Sequence, residues 1–323
     1  ANDMRIETIG IFGGTGFVGT RVANEIAELG PRVRIFTRSR DRARHLWPLP
    51  NTEIVELNLN QQNAIADQIS KCDAVINLAG ILNERRDDGM GFRRAHTELT
   101  REIVNACSEA SVKRYIHMSA LNAEPFAASY YLSTKGEAEN VAMAAQDTGL
   151  PTTVFRPSVI FGPNDKFFNR FASLLRISPV LPLACAQTKF QPVFVGDVSK
   201  AIIGALTDRK TFGERYELGG PEVRSLYEIV RYASKLTGSR SMIVPLGQTM
   251  SKLQANIFEY CPGKPFSRDN LRSASEDSVC RDENGLAQLG IHPTAIGEVV
   301  PTYLGEKFER MRYYDFRSVA RRI

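Results

Sequence analysis

The feature that most constrains this chain is a glycine-spaced turn near its N-terminus. Residues 13–19 read Gly-Gly-Thr-Gly-Phe-Val-Gly, so Gly13, Gly16 and Gly19 recur every third position. The apolar run Glu7–Phe12 precedes them. Phe17–Leu29 follows as a helix, stopped by Gly30 and Pro31. Glycine serves three purposes in such a turn: a tight reversal, close backbone approach to a pyrophosphate, and close packing of helix on strand. The helix that opens there aims free N–H groups and the positive end of its dipole at a bound anion. The spacing alone is weak evidence. Its position between a strand and a helix, at the head of an alternating pattern, marks a dinucleotide site. Gly13, Thr15, Gly16, Phe17, Val18 and Gly19 are the candidate contacts.

The alternation continues. Val33–Phe36, Ile54–Leu57, Ala74–Leu78, Arg114–Met118 and Thr152–Phe155 read as strands, with helices over Thr97–Ala110 and Leu132–Gln146. Short connections between alternating elements imply an α/β fold, a Rossmann-type doubly wound parallel sheet with helices on both faces. After Pro163 the pattern weakens. Lys166–Arg176 reads as an amphipathic helix, Pro179–Leu183 as a proline-rich stretch, Val193–Val195 as a strand and Val198–Leu206 as a helix capped by Asp197. Tyr216–Leu218 is expected as one more strand at the sheet edge. The expected division is a nucleotide-binding domain over 4–165 and 190–220, and a smaller, mainly helical lobe over 166–189 and 221–323.

The end of the second strand chooses the cofactor. An acid there would accept hydrogen bonds from a ribose 2′-hydroxyl. The segment Phe36-Thr37-Arg38-Ser39-Arg40 has none. Arg38 can pair with a 2′-phosphate, helped by Arg40 or Arg42, so NADP(H) is expected over NAD(H). Asn58, after the third strand, is placed to contact adenine. Five scattered cysteines and four dispersed histidines support neither a disulfide framework nor a metal site. The net charge of +5 is mild, and no nucleic-acid motif is present. No apolar run approaches the ~18 residues that span a bilayer, and Asp3, Arg5 and Glu7 interrupt any signal-peptide pattern. A cytoplasmic protein is expected, with the basic, aromatic Lys307–Ile323 stretch offering an anionic membrane surface or a membrane protein complex a place to dock.

Further motifs follow the glycines in a fixed order: Asn77-Leu78-Ala79-Gly80, Tyr131-x-x-x-Lys135, and Arg156-Pro157 running to Phe161-Gly162-Pro163. Together they resemble the extended or atypical short-chain dehydrogenase/reductases. The segments His117–Leu121, Tyr131–Glu137 and Phe155–Pro163 resemble, more narrowly, bacterial relatives of alpha-subcomplex subunit 9, the thirty-nine-kilodalton accessory subunit of respiratory complex I. Such relatives are often labelled epimerase/dehydratases. The resemblance implies cofactor contacts at Leu78, Ala79, Gly80, Lys135 and Pro157, and an NADPH that is structural rather than a carrier of electrons.

It also implies roles for Tyr131 as general acid/base, for Lys135 as the cation that lowers its pKa, and for a serine or threonine ending the fifth strand. A phenol near ~10 is a poor base at neutral pH without such a cation. Tyr131 and Lys135 are one helical turn apart and can share a face. The hydroxyl is displaced: Ala120 occupies the expected position and Ser119 stands one residue early, where strand alternation points it to the other face unless a kink turns it inward. His96 reads as a solvated or core histidine, and Arg85, Arg86, Arg93 and Arg94 as either an anion site or a solvated loop. Three functions fit: an NADP(H)-binding accessory or assembly protein with little turnover, an active oxidoreductase or nucleotide-sugar epimerase/dehydratase, and an NADPH-sensing regulator.

Overall fold

Strands β1 (Thr8–Phe12), β2 (Arg32–Thr37), β3 (Thr52–Glu56), β4 (Ala74–Asn77), β5 (Arg114–Met118), β6 (Thr152–Pro157) and β7 (Arg215–Leu218) form one sheet in the order β7-β6-β5-β4-β1-β2-β3. Every adjacent pair is parallel. The computed structural model describes residues 5–58, 61, 63–260 and 266–304. The strands are near-continuous apolar runs because both faces are covered. Helices α1 (Phe17–Leu29), α2 (Leu99–Glu109), α3 (Tyr130–Asp147), α4 (Phe168–Ile177) and α5 (Val195–Ala205) follow in chain order. On one face, Val22 and Ile26 of α1 and Val198 and Ile202 of α5 pack with Ile9, Ile11 and Ile35 of the sheet. On the other, Ile103 and Cys107 of α2 and Ala142 and Ala145 of α3 pack with Val75, Tyr115 and Val154.

The C-terminal part adds α6 (Leu226–Leu236), α7 (Gln248–Glu259), α8 (Arg268–Ser273) and α9 (Ile296–Leu304). With α4, helices α6 and α9 contribute to a separate apolar cluster around Phe168, Leu175, Ile229 and Val300. The expected alternation is found, and β7 is the edge strand anticipated at Tyr216–Leu218, with element ends shifted by one to three residues.

Several expectations are corrected. Val193–Phe194 pairs with Ile160–Phe161 in a two-stranded ribbon outside the main sheet. The stretch containing Pro179 is a strand, Val180–Leu183, parallel to Met242–Pro245. Asp197 is not the cap of α5. That helix begins at Val195, its N-cap is the extended Phe194, and Asp197 lies in the first turn. The fully buried Asp197 carboxylate instead accepts the Thr294 N–H at 2.7 Å, tying α5 to the segment that enters α9. Helical structure before α2 also starts earlier than Thr97, at Met90, and passes through a π turn over Arg94–Glu98. The Lys307–Ile323 stretch and Cys261 lie outside the described residues. Among the described residues no helix is long and apolar enough to cross a membrane.

Candidate functional site

Strand order reverses between β1 and β4, so a crevice opens beyond their carboxyl ends, the place where such sheets hold ligands. Gly13 occupies it with φ +74°, and a Cβ there would lie 2.6 Å from the backbone of Leu78 and 2.8 Å from the Ala79 nitrogen. A Cβ on Gly19 would lie 2.2 Å from the Gly13 carbonyl oxygen. Neither position admits a side chain. Gly16 is the N-cap of α1, with no side-chain cap and no acid in the first turn. Its own N–H donates to the Gly13 carbonyl at 3.0 Å. The start of α1 therefore presents backbone to the crevice, which fits a pyrophosphate. Thr15 and Phe17 are part-buried beside it, and Val18 packs into the core beneath.

At the end of β2, Arg38 is exposed and makes no ion pair with any described residue, whereas Arg44 is held by Asp41 at 2.7 Å. Across the sheet the exposed Glu56 of β3 is the register partner of Thr37. Asn58 is exposed beyond β3, and its carbonyl accepts the Gln61 N–H at 2.9 Å.

Helix α3 carries Tyr131 and Lys135 to the same crevice. Ser129 caps it by accepting the Leu132 N–H at 3.0 Å. A second cap comes from α8: the buried Asp269 carboxylate accepts the N–H groups of Tyr130 (2.7 Å) and Tyr131 (3.0 Å). Arg272 pairs with Asp269 at 2.9 Å and also with Asp87. Lys135 is 5% exposed, and its ammonium donates to the Met118 carbonyl at 2.7 Å. Burial pushes it down to about 8, against the opposing charge of Glu139 one turn later. Tyr131 is pushed up to about 12, first by burial and then by Asp269. A Cβ on Gly80 would be 3.5 Å from the Lys135 nitrogen, which places the β4 loop against α3.

His96 is a core residue. Its Nε2 accepts the Ile81 N–H at 3.1 Å, so Nδ1 carries the proton and donates to Thr134 Oγ1 at 2.9 Å. Burial and the nearby Lys135 charge hold it well below its usual range. Its ring meets Tyr131 edge-on at 5.5 Å and stacks with Phe92 at 5.6 Å. Ala120 belongs to the small apolar cluster against which Tyr131 packs. The Ser119 hydroxyl and His117 Nε2 are buried nearby along the chain without a partner, and burial drives His117 down to about 3. Pro157 ends β6, where its carbonyl accepts the Leu121 N–H at 3.1 Å. Arg85 and Arg86 line an open cavity of about 400 Å³ with Asp88 and Met90. Arg93 leaves that group to pair with Glu137 at 3.3 Å.

Sequence reasoning missed three contributors. Glu139, one turn beyond Lys135, is buried under Arg156 (2.6 Å) and Arg215 (2.7 Å), and its i+4 spacing was a usable signal. Glu84, which accepts the N–H groups of Gly89, Gly91 and Phe92, and Asp269 are both capping residues. Asp269 gave no local signal of this role, because the N–H groups it caps are more than a hundred residues away.

Comparison with known proteins agrees with this geometry. The chain is 30% identical over 294 residues to NADH dehydrogenase [ubiquinone] 1 alpha subcomplex subunit 9, mitochondrial, of Mus musculus, covering 88% of this chain and 76% of that one. It is 29% identical over 204 residues to a ceramide reductase of Caulobacter vibrioides, covering 63% and 62%. Its fold superposes on MoeE5, solved in complex with UDP-glucose and NAD, with TM-score 0.73 at 19% identity, over 95% of this chain and 99% of that one. Residues 9–219 match the NAD dependent epimerase/dehydratase family, and the chain belongs to that family.

Proposed function

We propose that this chain binds NADP(H) in the β1–α1 cradle and holds it with little turnover, as an accessory or assembly protein of a respiratory NADH:quinone oxidoreductase-type complex. One observation carries the low turnover. The Lys135 ammonium donates to the Met118 carbonyl, and burial first, then the Asp269 charge, raises the Tyr131 phenol. A phenol near 12 is not a base at neutral pH. Ala120 removes a hydroxyl donor worth ~2.7–4 kcal/mol in transition-state stabilisation elsewhere. The cradle is untouched by either change, so binding and chemistry separate. Exposed Arg38 supports the 2′-phosphate, and the mouse relative's name supports the accessory role.

A second reading is favoured by a different observation: the buried Ser119 hydroxyl without a partner. Bound NADPH would supply a hydride to a carbonyl carbon. The protonated Tyr131 phenol is then suited to give its proton to the carbonyl oxygen, and Ser119 to orient that oxygen. This is a reductase working in the direction of alcohol formation, as in the Caulobacter relative's name.

The deciding experiment uses NADPH deuterated at the transferable position. Tight binding with no deuterium loss in the presence of a lipid and metabolite extract is expected. Loss that disappears in Tyr131→Phe would overturn the accessory reading in favour of the reductase.

A further inference from the structure

Helix α7 buries Ser251, Ala255 and Glu259 against the protein. Met250, Leu253 and Ile257 point the opposite way and are 52%, 49% and 56% exposed, with Tyr260 continuing the stripe at 80%. Steps of three and four residues put them on one face. The stripe adjoins a second apolar surface. Gln254 of α7 donates to the Pro182 carbonyl at 3.0 Å, which anchors the helix beside the Val180–Leu183/Met242–Pro245 ribbon. On that ribbon the register partners Val180 and Met242 are also exposed, at 44% and 65%. Isolated exposed apolar residues are ordinary, but adjoining ones mark a docking surface.

Charge identifies the occupant. Segments 165–197 and 226–260, which include the elements of this face, contain four acidic residues, of which Asp165, Asp197 and Glu259 are buried and Glu228 is exposed, and eight basic ones. All eight are exposed, Arg240 and Lys252 among them. Protein interfaces deplete lysine around an apolar centre. An apolar stripe with eight exposed cations and one exposed acid in its segments matches a surface that is anionic at its headgroups and apolar just beneath. We infer that this face of the C-terminal lobe docks on an anionic phospholipid bilayer, independently of the Lys307–Ile323 stretch.

Docking would also orient the crevice. Arg268 of α8 donates to the Tyr260 hydroxyl at 3.1 Å, and Asn270 donates to the Leu82 carbonyl at 3.3 Å. The stripe is thus linked through α8 to the loop after β4 and to the start of α3, so docking would hold these elements near the lipid. Vesicle binding does not depend on nucleotide turnover, so this inference and the proposed function fail separately.

The test is co-sedimentation of the full chain with vesicles of phosphatidylcholine alone or mixed with phosphatidylglycerol. Binding to the mixed vesicles, released by salt, is expected. Leu253→Glu with Ile257→Glu should weaken it at least about tenfold, from lost apolar insertion. Arg240→Glu and Lys252→Glu should each weaken it about fivefold or more. Unchanged NADPH titration in every variant verifies folding. Variants that bind mixed vesicles as well as the parent would overturn the inference, as would equal binding to phosphatidylcholine alone. A dimer in light scattering that Leu253→Glu abolishes, without vesicle binding, would give the face to a second copy of the chain.

Discussion

In the β1–α1 turn the site depends on side chains that are absent, whereas at the start of α3 it depends on side chains delivered from distant segments. Seven consecutive residues make the turn, and Gly13 and Gly19 matter because nothing larger fits. The first turn of α3 is held by Asp269, 138 and 139 residues away, and by His96, which joins the β4 loop to Thr134. A local motif that requires emptiness persists or fails as a unit. An electrostatic setting assembled from several segments can drift one residue at a time. Under the proposed function, that difference lets one chain keep a nucleotide cradle while its tyrosine loses catalytic power.

The largest expected effect breaks the cradle. Gly19→Ala places a methyl 2.2 Å from a backbone carbonyl that cannot move without opening the turn. NADPH affinity should fall at least about a hundredfold, equivalent to ~2.7 kcal/mol. Fluorescence titration measures it. A loss below fivefold would show that the turn can shift and that the cradle is less rigid than the contacts require.

Lys135 stands between the two regions and tests them through pH. Its ammonium is held at about 8 in the folded chain, against 10.5 for the free group. Between those values the unfolded chain keeps the proton and the folded chain does not, so stability rises as pH rises through this window. Below the folded value both states are protonated, and the fold carries the whole penalty, about 3 kcal/mol. Lys135→Met removes that penalty and forfeits one hydrogen bond worth about 1 kcal/mol. Urea unfolding should show a variant about 2 kcal/mol more stable at neutral pH, with the alkaline rise gone. A variant less stable than the parent at neutral pH would mean that the Met118 contact outweighs desolvation.

Asp269→Ala breaks the other region and spares the cradle. Two N–H groups of α3 lose their acceptor, and Arg272 keeps Asp87 and the Tyr130 ring. The expected loss is about 2 kcal/mol in thermal or urea unfolding, with NADPH affinity unchanged within about twofold because the cradle lies on other strands. A parallel collapse of nucleotide binding would show that the two regions are coupled after all.

What the amino-acid pattern revealed follows the same divide. The apolar strands, the glycine turn and the Tyr131–Lys135 spacing are local, and all were legible. Asp197 was misread because a carboxylate near a helix start suggests a cap, while its partner Thr294 lies 97 residues on. The ribbon at Val180–Leu183 was hidden because Pro179 and Pro182 argue against a strand. It is tolerated in a two-stranded ribbon, where proline does not interrupt a central ladder. Ser119 and Ala120 differ by one position at the end of β5; the buried Ser119 hydroxyl has no partner, and Ala120 belongs to the apolar cluster against which Tyr131 packs.

The smallest effect concerns the rim of the cradle, where a local reading meets a tertiary neighbour. Arg38 is exposed, so its pairing with a 2′-phosphate is screened by water and salt. Arg38→Ala should weaken NADPH about tenfold and leave NADH nearly unchanged, with the NADPH loss shrinking at high salt. The exposed Glu56, opposite Thr37 on β3, pushes the other way, since a carboxylate near the 2′ position favours a hydroxyl over a phosphate. Glu56→Gln should therefore strengthen NADPH by a few fold at low salt. If Arg38→Ala weakens both nucleotides equally, the arginine is only a general anchor. Any preference for NADP(H) would then have to come from residues on the far side of β2, where sequence order had nothing to say.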